Sequence, residues 1–184
     1  PDPYEPPLMP RTLSIFHGHG DGTFAPRSEL RFDHRMRDFA TGDLNGDGVA
    51  DLVVPGRDGD WVGVRIANGD GSFREAPDLV FEGRLGSVVL GDLDANGTLD
   101  LVVAAASILA ILIGQGDGTF VRWPDLEVSF HPRVLLADFD RDGHLDLVEN
   151  GHRDPRTGYP IVTLHPGNGD GTFGARLDLS GWNG

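Results

Sequence analysis

Apolar residues in this chain fall in short runs, and polar, glycine-rich clusters separate them. Residues 39–41, 51–54, 62–66 and 76–81 are each three to six residues long and rich in Val, Ile, Leu and Phe. Clusters of Gly, Asp and Asn bound them, which is the pattern of short β-strands joined by tight turns. No window carries an apolar 3.6-residue period long enough for a helix. Residues 101–113 are apolar enough to be read as one, but they align with 52–66 and 147–164, which predicts two strands.

The punctuation itself repeats. GDLNGDGVADLVV (42–54), GDLDANGTLDLVV (91–103) and ADFDRDGHLDLVE (137–149) form one motif. HGDGTF (19–24), NGDGSF (68–73), QGDGTF (115–120) and NGDGTF (168–173) form the other. The leading Asp of the first motif stands at 43, 92 and 138, and the Asp of the second at 21, 70, 117 and 170. The period is therefore near 48 residues. Four short strands in such a period fit a β-propeller blade, whereas a β-solenoid needs a much shorter repeat. Residues 38–83, 84–131 and 132–180 read as three complete blades. Residues 11–37 hold only the second half of one, so the chain supplies about three and a half. Closed propellers use about four to eight. An open ring exposes strand edges, so the reading expects self-association, or additional blades from another chain or a missing segment.

The first motif reads D-x-N/D-x-D/N-G-x-x-D. Oxygens at positions 1, 3, 5 and 9, with the carbonyl of position 7, can surround one hard cation, and Gly at position 6 permits the sharp turn. That donor set suits Ca²⁺ better than Mg²⁺, which keeps its waters, or Zn²⁺, which takes His or Cys. Loop one offers Asp43, Asn45, Asp47, the carbonyl of Val49, and Asp51. Loop two offers Asp92, Asp94, Asn96, the carbonyl of Thr98, and Asp100. Loop three offers Asp138, Asp140, Asp142, the carbonyl of His144, and Asp146. The competing reading, simple Asx turns, accounts poorly for three copies in register. Three Ca²⁺ sites are expected.

These loops, together with the GDGTF turns, resemble the FG-GAP repeat family of integrin-α-like propellers, often labelled VCBS-type repeats. The resemblance covers residues 11 to 180. It implies an all-β propeller in which the acidic loop joins the first and second strands of each blade and holds Ca²⁺. An EF-hand or dockerin is the alternative, since loop three carries Glu149 at position 12. Loops one and two have Val54 and Val103 there, however, and no helical periodicity flanks any loop. Glu149 is expected to be a strand residue facing solvent.

In the GDGTF turns, glycine supplies the positive φ of a hairpin. Asp21, Asp70, Asp117 and Asp170 are expected to cap their own turns, and Phe24, Phe73, Phe120 and Phe173 to pack between blades. Alternating strand direction puts the acidic loops and the GDGTF turns on one face of the ring. The second-to-third strand connections lie on the other, where the repeats diverge. The longest is 150–160, with His152, Arg153, Asp154, Arg156 and Tyr159. Of these, His152, Arg153 and Tyr159, together with Trp61 at the head of a third strand, are the candidate ligand-binding residues. Trp123 and Trp182 are the remaining indoles. The histidines share no metal spacing, and no nucleophile elbow or other catalytic constellation is present.

Composition narrows the function further. The 184 residues carry 29 acidic and 15 basic side chains, a net charge of −14. Asp supplies 23 of the acids, and ten of those 23 lie in the three loops, where three Ca²⁺ would return +6. The acidity disfavours nucleic acid. Cysteine is absent, which removes disulfides and thiolate chemistry. The longest apolar stretch, 99–114, contains Asp100 and falls short of the roughly 20 residues of a membrane-spanning helix. The chain begins Pro1-Asp2-Pro3, as a mature form or a fragment would, so export is not legible from a targeting segment. The expectation is a non-catalytic, extracellular, calcium-binding propeller that recognises carbohydrate or protein. The alternative is an accessory or scaffold propeller of a larger secreted enzyme such as a polysaccharide lyase.

Overall fold

In the N-terminal part of the computed structural model, β1 (Thr12–Ile15) pairs antiparallel with β2 (Ser28–Arg31) and, among the described residues, with no other strand. The structure describes residues 12–57, 59–128, 132–154 and 157–179, with only the backbone of 151, 152 and 160. Three larger antiparallel sheets follow. The first holds β3 (Ala40–Gly42), β4 (Asp51–Pro55), β5 (Trp61–Ala67), β6 (Phe73–Glu75) and β7 (Leu79–Val80). The second holds β8 (Leu85–Gly91), β9 (Asp100–Ala105), β10 (Ile108–Gly114), β11 (Phe120–Arg122) and β12 (Leu126–Glu127). The third holds β13 (Val134–Ala137), β14 (Asp146–Arg153), β15 (Pro160–His165) and β16 (Leu177–Asp178). Each sheet runs in chain order, and no helix occurs among the described residues. The fold is all-β, a partial propeller of one outer strand pair and three blades.

The second strands explain the apolar runs. Every residue of β4 and β9 is buried, because both faces of a blade are covered. Val53 and Val64 of the first blade pack with Leu101, Val103 and Leu112 of the second. The opposite face of the second blade, with Val102, Ala104 and Ile111, packs with Leu147 and Leu136 of the third. A strand buried on both faces loses its polar alternation, which is why 101–113 mimics a buried helix. It is two strands joined at Ala106-Ser107, with Ala106 at φ 48°. The third cluster, between the N-terminal pair and the first blade, buries only Phe32, Leu52 and Val54.

The outer strand departs from the expected single segment 76–81. It is two pieces, β6 and β7, both paired with β5. Ala76 N–H still donates to Val64 O at 3.1 Å, but Pro77 has no N–H to continue the ladder, and the chain rejoins at Leu79. Trp123-Pro124 divides β11 from β12 in the same way, with Trp123 N–H on Ile111 O at 2.9 Å.

Two side-chain expectations are corrected. Glu149 does not face solvent: it is 1% exposed. It pairs with Thr163, two positions along the ladder from the Leu147–His165 pair and so on the face that Leu147 turns toward the second blade. Its carboxylate lies 3.8 Å from His165 Nε2. Phe73, Phe120 and Phe173 pack against the blade clusters as expected, but Phe24 is 65% exposed and touches Phe16 edge-on. Phe24 belongs to the outer pair, where one side of the packing is missing.

Candidate metal centres

Each acidic loop joins the first strand of a blade to the second, and one backbone pattern recurs in all three. Position 6 is left-handed at Gly48 (φ 83°), Gly97 (φ 87°) and Gly143 (φ 94°). Position 4 is left-handed too, at Gly46 (φ 75°), Ala95 (φ 56°) and Arg141 (φ 65°). The alternation turns backbone N–H groups inward onto carboxylates. Asp43 accepts from Gly46 N–H and Gly48 N–H, both at 2.8 Å, and also from Asn45 and Asp47. Asp92 accepts from Asn96 and Gly97, and Asp138 from Arg141 and Gly143. Asp43 is held below the ordinary carboxylate range, chiefly by Gly48 N–H.

Position 5 orients the end of the loop. Asp47, Asn96 and Asp142 accept from the N–H of Val49, Thr98 and His144 at 2.8, 2.7 and 2.8 Å. The carbonyls of those three position-7 residues accept no hydrogen bond among the described residues. They remain free for a cation.

Position 9 has a role that spacing did not disclose. Asp51, Asp100 and Asp146 are 0%, 0% and 1% exposed. One oxygen of each accepts from position 2 of its own loop: Leu44, Leu93 and Phe139 at 2.9, 2.7 and 2.8 Å. The other accepts from the backbone at the end of the third strand: Ala67, Gly114 and Gly167 at 2.8, 2.8 and 2.9 Å. The residue is a buried clasp between loop and blade. Burial pushes the Asp100 carboxyl up, against the pull of those two N–H bonds, and the charges of Asp94 and Asp92 add to the rise.

The carboxylates converge in two of the loops. Asp92, Asp94 and Asp100 bring ligand oxygens within 4.8 Å of one another, as do Asp138, Asp140 and Asp146. Loop one also carries three carboxylates, Asp43, Asp47 and Asp51, but they form no such group; its third position is Asn45, whose amide donates to Asp47 Oδ2 at 2.9 Å. An oxygen-only donor set, with like charges this close and a free carbonyl alongside, fits a hard divalent cation. These acidic groups can hold a metal.

The loops also join blades. Gly118 N–H, in the second blade's GDGTF turn, donates to Leu44 O of loop one at 3.1 Å, and Gly171 N–H of the third donates to Leu93 O of loop two at 3.0 Å. Loops and turns thus share a face. Asp21, Asp70, Asp117 and Asp170 cap their own turns, each accepting from the hydroxyl and the N–H two residues on. The hydroxyl is the larger cause of their lowered carboxyls.

On the other face, no contact among the described residues joins Trp61, Arg153 and Tyr159. Trp61 is half-buried, its ring against Gly56, Gly59 and Gly63, with His34 at 5.2 Å. Arg153 is exposed and its guanidinium donates to Gly158 O at 2.9 Å, while Tyr159 is 73% exposed. The side chain of His152, and all of Arg156 and Trp182, lie outside the described residues. Trp123 packs beneath the third blade's turn, against Gly171. A cleft of about 210 Å³ that sequence reasoning missed is lined by Arg37, Asp38, Gly86, Ser87, Pro132 and Arg133. These residues lie at or just before the first strands of all three blades, at the end away from the acidic loops, so only the packing of blade against blade discloses their meeting.

No curated protein matches the chain in sequence. Twelve chains of solved structure match it in fold. One is an Agrocybe aegerita lectin, described for specific recognition of non-reducing terminal N-acetylglucosamine. It is 22% identical, with a TM-score of 0.60 over 92% of this chain. The alignment takes in 46% of that lectin, so this chain spans less than half its length. The likeness establishes the fold. The FG-GAP-like repeat matches at residues 9–54, 43–103 and 92–149, overlapping spans that each run on to the second strand of a blade. With acidic loop, GDGTF turn and four-stranded blade recurring together, the chain belongs to the FG-GAP-like repeat family.

Proposed function

We propose that this chain is a calcium-stabilised, non-catalytic propeller module that recognises carbohydrate or protein outside the cell. The observation that carries the metal half is the convergence of three carboxylates in loop two and three in loop three, beside carbonyls with no other partner. Loop one, whose Asp43, Asp47 and Asp51 do not converge in this way, is the third and weakest site. Ca²⁺ is the cation because the donors are all oxygen and the loops are wide turns rather than a rigid octahedron.

Recognition is assigned to the face opposite the metal loops. Its connections differ from blade to blade, as specificity elements do, and two arginines and Ser87 meet in the cleft there. The fold it shares with a lectin for terminal N-acetylglucosamine supports carbohydrate as the first class to test. A glycan array probed with the Ca²⁺-loaded protein is expected to show binding that is lost on Arg133→Ala. No glycan bound at any density would remove the carbohydrate reading and leave protein as the ligand class.

A further inference from the structure

The cleft on the face opposite the acidic loops is built from one pair of repeat positions taken three times. Six and five residues before the leading Asp of each loop (Asp43, Asp92, Asp138) stand Arg37-Asp38, Gly86-Ser87 and Pro132-Arg133. Those three dipeptides, one from each blade, line the cleft of about 210 Å³. At the loop end of the repeats, positions 1 and 9 are Asp in every copy. At the cleft end no residue type recurs at its position: Arg, Gly and Pro at one, Asp, Ser and Arg at the other. The repeat keeps its residues where every blade has the same task and varies them where three blades meet at one place.

Contacts between blades fix the shape of the cleft, and its charges are unspent. The β8–β9 ladder shifts register between Leu85 and Val88, so Gly86 and Ser87 bulge out of it. Ser87 Oγ accepts from Val134 N–H at 3.2 Å and donates to Pro132 O at 3.4 Å. A Cβ on Gly86 would stand 3.1 Å from Ala104 Cβ and 3.4 Å from Pro132 O, which leaves little room for any larger residue. Elsewhere Arg27, Arg65, Arg122 and Arg176 pair with Glu29, Glu75, Asp125 and Asp178. The Arg37 and Arg133 guanidinium groups make no hydrogen bond or ion pair among the described residues, in a chain whose net charge is −14. Asp38 shares the cleft without pairing with either, and one of its oxygens accepts from Phe39 N–H at 3.0 Å. The lining therefore carries an excess of positive charge.

We infer that this cleft takes a sugar that bears a carboxylate, a uronate unit of an acidic glycan. Arg37 and Arg133 donate to the carboxylate, for which the planar, five-donor guanidinium is suited. Asp38 accepts from ring hydroxyls, with the oxygen that Phe39 N–H leaves open. The cleft is smaller than the about 300–1,000 Å³ of sites for drug-sized ligands, so it holds one sugar unit rather than a run of them. The sugar in this inference rests on the carbohydrate reading proposed above, whereas the preference for a negative charge rests on the two unpaired arginines.

The experiment titrates the whole protein in Ca²⁺ with glucuronate, glucose and acetate, and follows the amide NMR signals of Ser87, Arg133 and Val134. Expected is a saturable shift with glucuronate, at a Kd about tenfold or more below those of glucose and acetate. Arg37→Gln combined with Arg133→Gln, at two exposed positions, is expected to bring glucuronate to the level of glucose. Equal binding of glucuronate and glucose would overturn the charge preference while leaving the carbohydrate reading in place. Acetate bound as tightly as glucuronate would overturn the sugar and make an acidic protein segment the occupant. No shift with any of the three overturns the inference outright; a glycan array that still shows neutral glycans bound then keeps the carbohydrate reading, and a blank array removes both.

Discussion

Asp100 separates two roles that the loop sequence merges, ligand and clasp. Replacing it by Ala removes the acceptor for Leu93 N–H at 2.7 Å and for Gly114 N–H at 2.8 Å, in a position with no exposed surface. A buried N–H left without an acceptor costs about 1–3 kcal/mol. Two of them cost more, but removal of a carboxylate whose ionisation burial already disfavours returns part of that. The net loss is about 3 kcal/mol, a large share of the roughly 5–15 kcal/mol that holds a domain together. The assay is urea unfolding of wild type and Asp100→Ala, in EGTA and in excess Ca²⁺. A clasp shows the loss in both conditions, with an added loss in Ca²⁺ from the missing ligand. Asp92→Ala is the control. Its bonds come from Asn96 and Gly97 on the exposed loop, so in EGTA it loses under about 1 kcal/mol. An Asp100→Ala protein as stable as wild type in EGTA, and weaker only with Ca²⁺, would refute the clasp.

The remaining expectations concern metal, backbone and acid. EGTA lowers the melting temperature and Ca²⁺ restores it in proportion to ligand concentration over Kd, as linkage requires; a calorimetric scan unchanged by EGTA would end the calcium reading. Ala95→Gly and Arg141→Gly relieve non-glycine residues at φ 56° and 65°, and each is expected to raise the urea midpoint by the equivalent of about 1 kcal/mol. A fall at both positions would contradict it. For pH, Asp43, Asp21, Asp70, Asp117 and Asp170 have folded values below the ordinary 3.8. Their stabilisation is complete above 3.8 and is lost as pH falls through the folded values. Asp100 runs the other way: its folded value lies above 3.8, so in EGTA its contribution weakens as pH rises from 3.8 through that value. The stability of Asp100→Asn relative to wild type should therefore climb over that interval, and a flat difference would count against the sign.

The repeat, the strands and the loops were legible because Gly, Asp and Asn mark turns with a mechanism at each position. Conformations without a marker were not. Position 4 is left-handed in all three loops, but only Gly46 announces it; Ala95 and Arg141 do not. The clasp was hidden because the second partner of each position-9 Asp lies 14 to 21 residues downstream. Glu149 was misplaced for a related reason. Alternation along β14 does not by itself say which side is solvent, and Glu149 falls on the covered side with Leu147, whereas Leu135 and Val162 of the neighbouring strands are 54% and 45% exposed. The break between β6 and β7 was in plain view as Pro77, whose missing N–H outweighed the apolar run around it.

The acidic loop is therefore more than a set of candidate metal ligands hung on a blade. Its position-2 residue donates its N–H to the clasp and offers its carbonyl to the next blade, as at Leu93, which donates to Asp100 and accepts from Gly171. One residue thus links the packing of loop, blade and neighbouring blade. A cation that draws the Asp92, Asp94 and Asp100 oxygens together would hold that residue in place, although it touches no residue of the third blade. Calcium should therefore slow amide exchange at Gly171 and Gly118 as well as within the loops. Protection confined to residues 92–100 on metal binding would show that the clasp does not transmit the effect.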